Sequence, residues 1–363
     1  MKTKVLFIVT RLDVGGLETY LLRFLSFAKD RIETSVLCKS GETGKLDNKF
    51  SNLNTNLIYQ KVNYFPSSSW IKIYQLFKNN KYDAIVDFTG TISAPIIFIA
   101  WLAKINKRII FYRNSRYSFR STFFRKIYIK MCMIINLKLS TQILSNSEDV
   151  FRVIFKNKKN KLFKIIKNGV PYKSSNMYNK NTICNKYKIP KNSFIIGHIG
   201  RFVEQKNHAF IMGVASKLLD KYKDMYFIFC GKNVDENLKN NDIYNTYKSN
   251  FICIDFIEDI YELHQVLDCF IFPSKFEGHP NALLECVNSR VPIIASNVNS
   301  IKEHFPQFMS PTLLDLNNEN EFVDKIIKYY NGEFGYNLDE ASNWSQSEFD
   351  CDKCFEDFFS ELI

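Results

Sequence analysis

Along the first half of the chain, short runs of β-branched and aromatic residues recur at 4–10, 33–38, 83–88, 108–112, 141–144 and 163–166, with helical patterns between them. A second series follows at 194–199, 225–230, 251–254, 269–272 and 291–295. Runs this short and apolar read as buried strands, and their alternation with helices predicts an α/β protein of parallel sheets covered on both faces. The polar stretch 173–182, KSSNMYNKNT, has linker composition and puts a hinge just after Pro171. Two domains are expected, 1–170 and 171–345. In the last segment, 346–363, Phe349, Cys351, Cys354, Phe355, Phe358, Phe359 and Leu362 mark one buried face of a single helix.

A chain of 363 residues is long enough for two full cores. The first apolar run, VLFIV, is too short for a signal-peptide core. The longest apolar stretch, 92–103, falls well below the roughly 20 residues that span a bilayer. The expectation is a cytoplasmic protein, soluble or peripheral on a membrane. Nine scattered cysteines fit a reducing compartment, and Cys351-x-x-Cys354 has no second pair or nearby His to make a metal site.

Charge is unevenly placed. Residues 1–170 hold 30 Lys plus Arg against 10 Asp plus Glu, a net of +20, and the remainder holds 19 against 27, a net of −8. A basic first half can meet nucleic acid, an anionic membrane or a phosphorylated acceptor. Its richest piece, 113–138, interleaves Arg, Lys and aromatics on an expected helix from about 121. That composition fits an interfacial helix on anionic lipid, and equally a core helix with a solvated basic face. No RNA-binding signature accompanies it, and the acidic second half would repel phosphate.

Candidate chemistry concentrates in 272–297, FPSKFEGHPNALLECVNSRVPIIASN. Gly278-His279-Pro280 should turn into a helix with Pro280 near its first position, leaving the amides of Asn281 and Ala282 free for an anion. Glu277 would lie beside that mouth and Glu285 about one turn into the helix, where both could accept from hydroxyls of one ligand. The spacing alone is equally that of two solvated surface carboxylates. Arg201 and Lys206, five apart after the strand 194–199, can converge on one anion at the strand's C-terminal edge. His198 and His208 read as structural. After the first strand, Gly15-Gly16 opens a helix expected at 20–28 and makes a second candidate anion site. Asp350-x-Asp352 spells a metal-binding D-x-D but sits in the terminal helix, away from any strand tip.

E-G-x-P-N-x-L-L-E followed by V-P-I-I-A-S resembles the E-x7-E segment of retaining GT-B glycosyltransferases, glycosyltransferase family 4, of the capsule, exopolysaccharide and O-antigen or lipopolysaccharide type. Gly15-Gly16-x-Glu18, G-R-x4-K at 200–206 and Asn168-Gly169-Val170 match further segments of that family. The resemblance implies two Rossmann-like domains facing across a cleft, with the acceptor in the first, the donor in the second, and the terminal helix crossing back onto the first.

It also implies transfer of a sugar, with retention, from a nucleotide-diphosphate donor, expected to be a UDP-sugar, to a lipid-linked (polyprenyl diphosphate) saccharide at the inner face of the cell membrane. The enzyme would be a hexosyltransferase needing no metal or cofactor. Glu277, Gly278, His279, Pro280, Asn281, Ala282 and Glu285 would then hold sugar, ribose and diphosphate, Arg201 and Lys206 the diphosphate, and Gly15 and Gly16 the donor phosphates or the acceptor. Glu277, Arg201 and Lys206 are the expected catalytic groups. The family's first-domain His has no counterpart here; Arg113 and Asn114 are the candidates for the acceptor side. Arg290 stands where the family has Gly. A UDP-sugar 2-epimerase of the same fold, a starch or glycogen synthase, and a basic membrane- or nucleic-acid-binding protein without catalysis are the alternatives.

Overall fold

The structure, a computed structural model, describes residues 2–113, 122–158, 160–172 and 179–363. It divides into two compact units, Met1–Gly169 with Cys351–Ile363, and Val170–Asp350.

The first unit contains β1 (Thr3–Val9), β2 (Ile32–Cys38), β3 (Asn56–Tyr59), β4 (Ala84–Asp87), β5 (Lys107–Tyr112), β6 (Gln142–Ser145) and β7 (Phe163–Ile165). All pair in parallel, in the order β3-β2-β1-β4-β5-β6-β7. Because successive strand residues face opposite ways, Val5, Phe7 and Val9 pack on one side of the sheet with the helix Gly16–Ala28. Leu6 and Ile8 pack on the other with the helices Ser68–Asn80 and Ala94–Leu102.

The second unit contains β8 (Phe194–Ile199), β9 (Met225–Cys230), β10 (Phe251–Ile254), β11 (Cys269–Phe272), β12 (Ile293–Ser296) and β13 (Leu313–Leu314), again all parallel. Their order is β10-β9-β8-β11-β12-β13. In each sheet the strand order reverses once, between β1 and β4 and between β8 and β11. Open α/β sheets bind ligands at the C-terminal edge beside such a reversal.

Two strands escaped the sequence pattern. β3 is a half-exposed edge strand and β13 only two residues long, so neither shows a clear apolar run. The strand expected at 291–295 begins at Ile293, the Pro292 carbonyl accepting from Phe270 at its approach.

The terminal segment is not one helix. It is two, Leu338–Glu348 and Cys351–Leu362, broken at Phe349. Phe349 is buried in the second unit with Leu284 and Val170, and its carbonyl accepts from the Val170 amide at 2.8 Å. Phe355, Phe358, Phe359 and Leu362 are buried in the first unit's core, with Phe358 4.6 Å from Phe24 between ring centroids. The apolar stripe is continuous in sequence but is buried in two different bodies, so the helix must stop between them. Burying each of those phenylalanines contributes about 1.5–3 kcal/mol.

Candidate active site at the switch point of the second sheet

β8 and β11 flank the reversal in the second sheet, and the loops that leave them are stitched together. The Lys275 amide donates to the Gln205 carbonyl at 2.9 Å, and the Gln205 side-chain amide donates to the Phe276 carbonyl at 2.8 Å. The Glu277 amide donates to Ser300 Oγ at 3.0 Å, anchoring the loop from a third direction. The result sets Lys206 Nζ 2.8 Å from Glu277 Oε1 and 4.5 Å from the Phe272 ring centroid. Their side chains are only 17% and 8% exposed, so the pair is held in a low-dielectric setting where it is strong. Gly200 permits this, because a Cβ there would press to 3.0 Å on the Lys206 methylenes.

Arg201 is exposed and makes no ion pair among the described residues. Of the two cations expected to converge, one is thus drawn inward by a carboxylate and the other faces solvent. Behind them, His198 and His208 are buried with ring centroids 4.9 Å apart. His198 Nδ1 lies 2.9 Å from the Ile271 carbonyl, which places its proton on that nitrogen. Burial, reinforced by the charges of His208 and Lys206, holds His198 well below its usual range; burial and Lys206 lower His208 to about 4. Both rings are neutral near pH 7.

The helix after the loop runs Asn281–Asn288, and Pro280 is its cap rather than its first residue: the Pro280 carbonyl accepts from the Leu283 and Leu284 amides at 3.0 and 3.1 Å. This corrects one expectation. The Asn281 amide is not free but donates to the His279 carbonyl at 2.9 Å, a tight turn forced by Pro280 at ψ 61°. The amides of Gly278 and Ala282 donate to no group among the described residues. His279 is buried, its Nδ1 2.8 Å from Asn281 Oδ1 and its ring 4.5 Å from that of His304. Glu285 is half-buried one turn along the helix. Arg290 closes the turn in the left-handed conformation, φ 58°, with its Nε on Asp339. Together the two loops therefore offer an ammonium from Lys206, the amides of Gly278 and Ala282, unpaired among the described residues, and the Glu277 carboxylate, a set that can neutralise an anion and accept from hydroxyls.

In the first unit, Gly15 is the extended cap of a helix that begins at Gly16, four residues before the expected start. Glu18 lies over Gly15, where a side chain would strike its carboxylate. Arg113, at the tip of β5, stacks 4.0 Å over the Tyr20 ring and 4.9 Å from that of Phe111. Burial lowers its pKa to about 10 against the opposing pull of Tyr20 and Glu18. Asn114 lies outside the described residues.

A buried chain escaped the sequence reading. Lys39 Nζ donates to Thr89 Oγ1 at 2.9 Å, and Thr89 donates to Asp87 Oδ1 at 2.6 Å, across the tips of β2 and β4. The Asp-x-Thr at a strand end is the signal that could have found it. Ser300, far along the chain from Glu277, gave no signal.

Residues 179–347 match the family model of glycosyl transferases group 1. The capsular polysaccharide biosynthesis glycosyltransferase CapH of Staphylococcus aureus is 28% identical over 83% of this chain and 83% of its own. The UDP-Gal:alpha-D-GlcNAc-diphosphoundecaprenol alpha-1,3-galactosyltransferase of Escherichia coli is 24% identical over 85% and 82%. Among solved structures, Anabaena HepE in complex with UDP and glucose superposes with a TM-score of 0.82 at 14% identity, covering 99% of both chains. The chain is a glycosyltransferase of the GT-B fold. Its match to the glycosyl transferases group 1 lies within the second unit.

Proposed function

We propose that this glycosyltransferase moves a hexose from a UDP-sugar to a lipid-linked saccharide, with retention of anomeric configuration, in the assembly of a bacterial surface polysaccharide at the inner face of the cell membrane. The observation that carries the reading is the Lys206–Glu277 pair at the switch point, beside the two unpaired amides of Gly278 and Ala282. A nucleotide diphosphate suits the ammonium and amides, and sugar hydroxyls suit Glu277. The names of the capsule and O-antigen relatives support the process, HepE's complex with UDP supports the donor, and the E. coli galactosyltransferase supports a diphosphate-linked lipid acceptor.

Departure of the nucleotide diphosphate builds negative charge that Lys206, Arg201 and the helix start at Pro280 would stabilise, a role that metal plays elsewhere. Glu277 orients the sugar, Glu285 takes the ribose, Gly15 and Gly16 serve the donor phosphates or the acceptor, and Arg113 serves the acceptor.

The test is a panel of nucleotide sugars with and without membrane lipid extract, in EDTA, comparing wild type with Lys206→Ala and Glu277→Ala. Nucleotide release from one donor, raised by lipid and lost in both variants, is the expected result. Conversion of donor to an epimer without nucleotide release would replace this reading with the 2-epimerase.

A further inference from the structure

From Phe88 to Ser147 the chain has ten Lys plus Arg and no Asp or Glu. The helix Phe123–Leu139 is part of that stretch, and only Cys132 and Asn136 on it are fully buried. Asn136 ties its inner side to the unit, donating to the Thr91 carbonyl at 3.0 Å. On its outer side Phe123, Ile127, Met131 and Ile134 recur with helical spacing, joined by Phe124; the two phenylalanines are 72% and 81% exposed. Arg125, Lys126, Lys130 and Lys138 are exposed around them.

A second element extends this surface. Tyr64 and Phe65, exposed in the loop after β3, pack on Tyr128 with ring centroids 6.3 and 5.3 Å apart, and Tyr128 donates to the Tyr64 carbonyl at 3.0 Å.

We infer that the helix Phe123–Leu139 and the Tyr64–Phe65 loop form one platform that lies in the interface of an anionic bilayer. Aromatic side chains ringed by cations match acyl chains below and anionic head groups at the rim. A second copy of the chain fits poorly: interface cores are depleted of lysine, and a twofold contact would set these cations against one another.

Topology adds a consequence that rests on the proposed function. β3 and β5 are parallel, so the loop after β3 and the start of the helix after β5 lie at the sheet's C-terminal edge. Gly15, Gly16 and Arg113 lie at that edge too. A platform inserted there brings the head group of a lipid-linked acceptor to the substrate-binding edge without extraction of its chain from the bilayer.

The test is flotation of the full chain with vesicles of 70:30 phosphatidylcholine and phosphatidylglycerol, and of phosphatidylcholine alone. Expected is binding at least tenfold tighter to the anionic vesicles, weakened by salt. Phe123→Glu/Phe124→Glu, Lys126→Glu/Lys130→Glu and Phe65→Ser should each weaken binding tenfold or more while leaving circular dichroism unchanged, since every altered side chain is exposed; thermal melting should be unchanged in the two helix variants and lowered slightly in Phe65→Ser, which loses its contact with Tyr128. Transfer to a short-chain, water-soluble acceptor should persist in all three, whereas transfer to vesicle-borne acceptor should fall with binding. Absence of vesicle binding, binding insensitive to these variants, or a dimer that the same variants dissolve would overturn the inference. Such failures leave the proposed function standing wherever soluble-acceptor transfer persists; loss of all transfer with vesicle binding intact would do the reverse.

Discussion

Lys206 Nζ and Glu277 Oε1, 71 residues apart in sequence, meet at 2.8 Å in the second unit with both side chains largely buried. Each therefore depends on the other for its charge balance. Glu277→Leu leaves a buried ammonium unpaired and should cost about 3 kcal/mol, and Lys206→Met strands the carboxylate at comparable cost, whereas Lys206→Met/Glu277→Leu should cost much less than their sum. The check is calorimetric melting of the two singles and the double. Strictly additive losses would mean that the pair is energetically idle.

Activity should follow different logic. Restoring stability in the double variant should not restore transfer, because under the proposed function the leaving diphosphate would still lack its cation and the sugar its carboxylate. A fall of roughly a hundredfold or more in kcat is expected from Lys206→Met, with a smaller change in donor KM. Single-turnover nucleotide release measures the first and donor titration the second; a change confined to KM would remove Lys206 from transition-state stabilisation.

The buried histidines set the acid limit of stability. His208 titrates at about 4 when folded, while an unfolded His titrates near 6.5. Between those values the unfolded chain binds a proton that the folded chain refuses, so His208 should erode stability as pH falls from about 6.5 toward 4, by roughly 1.4 kcal/mol per unit at most. His264, also lowered to about 4 by burial, adds to the slope. His208→Phe, placed among Phe202 and Phe229, should flatten the urea-midpoint slope over that window by about one proton. An unchanged slope would show that His208 is protonated in the folded state.

Arg290 holds φ 58° and gains Asp339 as a partner. A left-handed non-glycine residue costs roughly 1 kcal/mol, and an exposed ion pair returns about 0–1. Arg290→Gly should thus change stability by less than about 1 kcal/mol in either direction, while Arg290→Val, β-branched and unpaired, should lose clearly more. Urea denaturation of the two variants decides it; equal losses would place the cost elsewhere.

Most strands were legible because a buried parallel strand is apolar on both faces: four of the five expected in the second unit, 194–199, 225–230, 251–254 and 269–272, have the observed bounds. The loop after β11 was legible as residue types at a spacing, yet the spacing did not say that Lys206 and Glu277 pair with each other or that Asn281 gives its amide to His279. Those outcomes depend on contacts between segments far apart in the chain, such as Glu277 with Ser300. The split of the terminal segment was hidden for a related reason. Periodicity tells which face is buried but not in which body, and Phe349 and Phe355 are buried in different ones.

The chain Lys39–Thr89–Asp87 is the buried charge arrangement of the first sheet's reversal, and its energetics follow from its geometry. Asp87 is wholly buried and receives Thr89's amide and hydroxyl at 2.7 and 2.6 Å, while Thr89 receives Lys39 at 2.9 Å. Burial lowers the Lys39 pKa, opposed first by the charge of Asp87. Asp87→Asn should cost about 3–5 kcal/mol by stranding the ammonium, and Lys39→Met a comparable amount by stranding the carboxylate, whereas Lys39→Met/Asp87→Asn should cost much less than their sum. Because the folded lysine releases its proton at lower pH than the unfolded one, the unfolded chain binds more protons at alkaline pH. Wild type should therefore gain stability relative to Lys39→Met as pH rises from about 8 to 10. Urea midpoints at the two ends of that range test the sign; a relative loss would mean that Asp87, acting through Thr89, outweighs burial and holds Lys39 charged more firmly than water does.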